Sequence, residues 1–145
     1  MIVAAVRTPV GRGKADGALS GVHPVDLLAQ TLQGLLARTP QVDPGTVDDV
    51  IVGCVSQVGE QSATPGRMAW LAAGFPEHVP ATTIDRKCGS SQQAVHFAAQ
   101  AIRSGDADIV VAGGVESMSR VVMGSARMGA DPFGAGVNER YAPGL

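Results

Sequence analysis

The stretch Ile84-Asp85-Arg86-Lys87-Cys88-Gly89-Ser90-Ser91-Gln92-Gln93-Ala94 has the clearest capacity for chemistry. Cys88 lies between the end of a strand-like run and the start of a helical one. The first N–H groups of a helix have no intrahelical partner and carry partial positive charge. Such a position stabilises a thiolate and lowers the thiol pKa. Arg86 and Lys87 add positive potential if they face inward, and Gly89 leaves room for a substrate to approach the sulfur. A sharp strand-to-helix turn also lifts a nucleophile above its sheet, as the nucleophile elbow does for serine. The competing reading is a buried structural cysteine, the commoner fate of an unpaired Cys, and position alone leaves the two in balance. Cys54 takes the structural reading, because it sits inside a strand-like run with no helix start beside it.

A thiolate nucleophile needs a general acid or base. His96 follows Cys88 by eight residues on the same helical run, which places it roughly 12 Å away at ~1.5 Å per residue. His78 is separated from Cys88 by a strand and lies roughly 20 Å away at ~3.3 Å per residue. His23 precedes a helix, where capping is its expected role. A self-contained Cys-His hydrolase is therefore not expected, and the base must come from another segment or chain. A second polar cluster follows the run Ala107–Ala112: Gly113-Gly114-Val115-Glu116-Ser117-Met118-Ser119. Ligands in open α/β sheets gather at the carboxyl ends of strands. Cys88 and Glu116 each follow such an end and could face one crevice; alternatively, Glu116 caps nearby backbone. Gly11-Arg12-Gly13-Lys14 resembles a piece of a phosphate loop, but Ala15 follows the lysine and no helix opens there, so it is a basic surface loop.

The elements that must position these groups alternate. Ile2–Val6 is a buried strand, followed by a Gly-rich loop from Arg7 to Val22. Pro24 suits the first position of a helix, and Leu27, Leu28, Thr31, Leu32, Leu35 and Leu36 form one apolar stripe. Pro40 and Pro44 end that helix. Asp49–Val55 is a strand apolar enough for burial on both faces. Pro65–Ala73 is a short helix, Ala81–Arg86 a third strand and Ser90–Arg103 a helix stopped by Gly105. Its Ala94, Val95, Ala98, Ala99, Ala101 and Ile102 predict a buried helix. Ala107–Ala112 is a fourth strand. Beyond Ser119 no periodicity is clear. This order predicts an α/β layered fold with a mostly parallel sheet.

The 145 residues suffice for one domain with a core. With 45% hydrophobic and 17% charged residues, the chain is not a disordered one. Aromatics at 3% against 19 glycines predict close helix–sheet contact rather than a large aromatic cavity. A net charge of −2 gives no general drive toward nucleic acid. Two cysteines make no disulfide framework. No apolar run approaches the ~20 residues of a membrane span, and Met1 leads into the first strand without a basic region or cleavage pattern. The expected location is cytoplasmic, with an organelle left open.

Arg7-Thr8-Pro9-Val10-Gly11, Asp85-Arg86-Lys87-Cys88-Gly89-Ser90, Gly105-Asp106-Ala107-Asp108 and Ala112-Gly113-Gly114-Val115-Glu116-Ser117-Met118-Ser119 together resemble the N-terminal half of thiolases, the acyl-CoA:acetyl-CoA C-acyltransferases. The resemblance runs unbroken from Met1 to about Ser119. It implies the thiolase-like fold, two similar βαβαβαββ halves stacked as αβαβα layers, of which this chain holds the N-terminal half only. Residues 1–119 would be an incomplete N-terminal domain, and 120–145 the start of the loop domain covering the substrate. Cys88 would be the nucleophile that accepts an acyl group as a thioester, with its own backbone N–H as one oxyanion donor. Gly89, Ser90, Glu116, Ser117 and Met118 would be substrate-binding residues. The partners implied are acyl-CoA and CoA, with no metal and no cofactor beyond CoA as substrate. The missing C-terminal half or a partner subunit, and assembly as a homodimer or tetramer, are implied as well.

Two departures stand out. Family members often read Cys-Ser-Ser-Gly or Cys-Gly-Ser-Gly followed by an apolar residue, where Ser91 and Gln92 stand here. The Gly-His-Pro and second Cys-x-Gly motifs of the C-terminal half do not occur in these residues. The Gln-rich turn after Cys88 resembles thiolases of bulky-substrate or steroid catabolism. The alternatives are a truncated thiolase-like interaction subunit, acting through its exposed third strand, and a ketosynthase-like decarboxylating enzyme, disfavoured by the Gly-Gly-Val-Glu-Ser-Met-Ser run. A half-domain would also leave apolar surface exposed.

Overall fold

A computed structural model describes residues 1–141. Three strands, β1 (Asp49–Gly53), β2 (Ala81–Ile84) and β3 (Val110–Gly114), form a parallel sheet in the order β2-β1-β3. β1 is central and buried from Val50 to Gly53, as its continuous apolar sequence predicts. Its side chains alternate between two cores. Val50 and Val52, with Val111, join the helices α1 (Pro24–Ala37) and α2 (Pro65–Ala72) on one face. Ile51, with Val110 and Ala112, meets Ala94 and Ala98 of α3 (Ser90–Ser104) on the other. The sheet is thus layered between helices, in agreement with the α/β expectation.

Each helix starts and stops for local reasons. α1 opens at Pro24 behind His23, whose Nδ1 accepts the Val25 N–H at 3.2 Å. Its Leu28, Ala29 and Leu32 face inward against α2. Trp70 of α2 is fully enclosed, donates its indole N–H to the Pro76 carbonyl at 2.9 Å and lies 4.7 Å from the Phe75 ring. α3 stops at Gly105, where φ is 81°.

Four expectations need correction. Ile2–Val6 is not a strand: no strand among the described residues pairs with it, and Ile2 and Val3 are exposed. A ladder needs a partner. Val6, Arg7 and Thr8 instead line a shallow cleft against α1. The fourth strand lies later than predicted, at Val110–Gly114, because Asp48 accepts the Asp108 and Ile109 N–H groups and holds them out of the ladder. α3 is buried only at Ser90, Ala94 and Ala98, whereas Val95, Phe97 and Ile102 face outward. Past Ser119, where no periodicity is legible, a further helix α4 (Gly134–Tyr141) forms. Residues 142–145 of the expected 120–145 segment lie outside the described residues. No helix among those described is long and apolar enough to cross a membrane.

Candidate active site

Cys88 is exposed, on the turn that joins β2 to α3. The turn is held by its own polar groups. Asp85 accepts the Lys87 N–H at 2.7 Å and pairs with the Lys87 ammonium. The Lys87 ammonium, with the backbone N–H adding to it, holds the Asp85 carboxyl below the usual carboxylate range. Lys87 adopts a left-handed conformation, φ 49°, rare for a residue with a side chain. The Gly89 N–H returns to the Arg86 carbonyl at 3.0 Å. Lys87 therefore spends its charge on Asp85 rather than pointing inward at the sulfur.

α3 is seated on the sheet through two glycines. Gly53 and Gly114 are register partners at the carboxyl ends of β1 and β3. A Cβ on Gly53 would fall 2.4 Å from the Ser90 carbonyl carbon and the Ser91 nitrogen. One on Gly114 would fall 1.8 Å from Ser91 Oγ. Neither site has room for a methyl group, so the missing side chains let the first turn of α3 rest on backbone. This contact fixes the height of Cys88 above the strand ends.

Glu116 does follow the next strand end, but its carboxylate is spent on the fold. Oε2 accepts the Val55 N–H at 2.7 Å, and Oε1 accepts from Ser56 N–H at 3.3 Å and from Gln61 Nε2 at 3.0 Å. Gln61 is fully buried; its Nε2 also donates to the Ser56 carbonyl, and its Oε1 accepts the Ser117 N–H at 2.7 Å. The loops after β1 and β3 thus form one latched unit. Arg120 reinforces it from outside, pairing with Glu60 and donating to the Ser20 carbonyl at 3.0 Å. Of the residues expected at the substrate, Met118 is exposed and Gly89 half-buried, whereas Ser90 and Ser117 are buried and hydrogen-bonded.

Cys54 is 1% exposed, and burial pushes its thiol up to about 12, with the Glu116 charge adding to the effect. The three histidines are placed apart from any shared cluster with Cys88. His23 caps α1, His78 Nε2 lies 3.0 Å from the Gly45 carbonyl, and His96 is exposed on α3. Among the described residues no group of three or more His, Cys, Asp or Glu could hold a metal ion.

The family model for the thiolase N-terminal domain matches residues 1–140. The chain belongs to the thiolase family. It is 56% identical, over 92% of its length, to a steroid 3-ketoacyl-CoA thiolase of Mycobacterium tuberculosis, of which it covers 32%. A 3-oxoadipyl-CoA/3-oxo-5,6-dehydrosuberyl-CoA thiolase of Escherichia coli is 53% identical over 83% of the chain, which covers 30% of that protein. The crystal structure of the Bacillus anthracis acetyl-CoA acetyltransferase superposes with a TM-score of 0.66 at 41% identity, over 82% of this chain and 27% of the other. The chain spans about a third of the length of the curated thiolases it matches.

Sequence reasoning missed Gln61, the Gly53–Gly114 pair and the Glu60–Arg120 strap. The glycines carry a readable signal, since each ends an apolar strand. Gln61 and Arg120 carry none, because their partners lie 55 to 60 residues away.

Proposed function

We propose that this chain supplies the acyl-accepting part of a thiolase active site. Cys88 Sγ attacks the carbonyl of an acyl-CoA. The new S–C bond replaces the bond to CoA, and the thiol proton leaves with the CoA sulfur. The carbanion of acetyl-CoA then takes the acyl group and frees Cys88, or CoA does so in the direction that cleaves a 3-ketoacyl-CoA. The Cys88 N–H helps to hold the oxyanion of each tetrahedral intermediate. Gly89 and Met118 border the acyl group, while Ser90, Glu116 and Ser117 shape the site from beneath. CoA is a substrate, and no metal or prosthetic group enters the chemistry.

The observation that carries this reading is the open position of Cys88 at the start of α3, in a chain that matches the thiolase N-terminal domain over residues 1–140. The general base comes from another segment or another chain, since none of the three histidines shares a cluster with Cys88. β2 is a sheet edge, free to pair with a second copy in a homodimer or tetramer. The 56% identity to a steroid 3-ketoacyl-CoA thiolase supports a bulky acyl group, and the proposed location is the cytoplasm, with an organelle left open. The test is CoA-dependent cleavage of short, long and ring-bearing 3-ketoacyl-CoA esters by the intact protein. Cleavage that vanishes in Cys88→Ser supports the proposal. A protein that binds partners but neither cleaves nor accepts acyl groups contradicts it, and would be a silent thiolase-like interaction domain.

A further inference from the structure

We infer that Ser90 is a positioning residue that aims the oxyanion-stabilising N–H of Cys88; the inference rests on the acyl-transfer reading above. Ser90 is 3% exposed, too deep to meet a substrate. Its hydroxyl accepts the Arg86 N–H at 2.8 Å and donates to the Lys87 carbonyl at 2.6 Å. The Ser90 N–H reaches the same carbonyl at 3.0 Å. That carbonyl and the Cys88 N–H belong to one peptide unit, which is planar and trans. With the oxygen gripped by Ser90, the N–H on the opposite edge must point away from Ser90, out of the turn.

The other side of Lys87 is held by Asp85, which accepts the Lys87 N–H at 2.7 Å. A left-handed, non-glycine residue persists where its surroundings over-determine it. Asp85 and Ser90 do so from the two flanking peptides. The seat of α3 on Gly53 and Gly114 fixes Ser90 in turn, since the Ser90 carbonyl carbon is the atom that a Cβ on Gly53 would strike. The chain of constraint runs from paired glycines, through a buried hydroxyl, to the donor beside the reacting carbonyl.

The test compares two reactions at the same sulfur in the intact protein. Acyl transfer from acetyl-CoA passes through an oxyanion, whereas alkylation by iodoacetamide does not. In Ser90→Ala, kcat for acyl transfer should fall about ten- to hundredfold with KM within about threefold, while peptide-mapped alkylation of Cys88 changes less than about threefold. Should that variant fold poorly, Lys87→Gly/Ser90→Ala removes the left-handed strain and carries the same comparison with the same expected split. Unchanged acyl transfer, or acyl transfer and alkylation falling together, would overturn the inference. Acyl transfer that survives in Cys88→Ser would instead overturn the acyltransferase reading itself.

Discussion

Cys54 and Cys88 both follow strands of one parallel sheet, and the surroundings of the two sulfurs are opposite. β1 runs straight into Cys54, which is 1% exposed, beside the loop that Gln61 and Glu116 latch down. β2 ends at Ile84, and four residues later Cys88 stands open at the start of α3. Strand-end position is common to both. What separates them is the next segment. A latched loop encloses one sulfur, and a clamped turn seated on two glycines presents the other. Whether a strand-end cysteine is open or enclosed is therefore set by what holds the backbone after it as much as by its own neighbours.

The largest effect should come from exchanging the sulfurs one at a time. Cys88→Ser should lower thiolytic turnover more than about a thousandfold, in the range seen when a nucleophile is removed. Cys54→Ser should keep turnover within about threefold, because its sulfur takes no part in the reaction, while losing about 1–3 kcal/mol in urea melts as a hydroxyl enters the buried site. Comparable losses of turnover in both variants would erase the distinction between the two sites. Next comes the glycine seat. Gly114→Ala should cost about 1–3 kcal/mol of stability by overpacking and slow acylation of Cys88. Ser91→Gly in that background should recover part of both, since Ser91 Oγ is the nearest obstacle. No recovery would mean that α3 does not bear on Gly114.

Smaller effects fall on the Cys54 side. Gln61→Ala leaves the Ser117 N–H and the Ser56 carbonyl without their side-chain partner, a loss of about 1–3 kcal/mol. Opening that latch should make Cys54 alkylatable in peptide maps, narrowing the contrast with Cys88. The last effect is confined to alkaline pH. The Cys54 thiol has an ordinary value of 9.0 and is pushed up to about 12 in the native state, so the unfolded chain loses the proton first. The stability this contributes is fully present below pH 9 and declines as pH rises toward 12. Urea melts across that window should show a downward slope that Cys54→Ala removes. A slope unchanged in the variant would place its origin elsewhere.

Much of this was legible from residue order. The stripe of α1, the doubly buried β1, the helix start after Cys88 and the stop at Gly105 follow from local pattern, and the structure has each of them. Local pattern does not reveal partners. Ile2–Val6 has the composition of a strand but no ladder among the described residues, and the small apolar groups of α3 predict burial without saying what would cover them. The site divides the same way. Cys88 stands out through its neighbours in sequence, whereas Glu116 read either as a group facing the crevice or as a cap, and its carboxylate binds backbone 60 residues earlier. Ser90 read as a substrate contact, and its burial turns it into a clamp.

The most direct test of the account is peptide-mapped mass spectrometry of the intact protein after incubation with acetyl-CoA. The acetyl group should appear on the peptide containing Cys88 and leave on addition of CoA, with the Cys54 peptide unmodified. An acetyl group on Cys54, or one on Cys88 that CoA cannot remove, would contradict it.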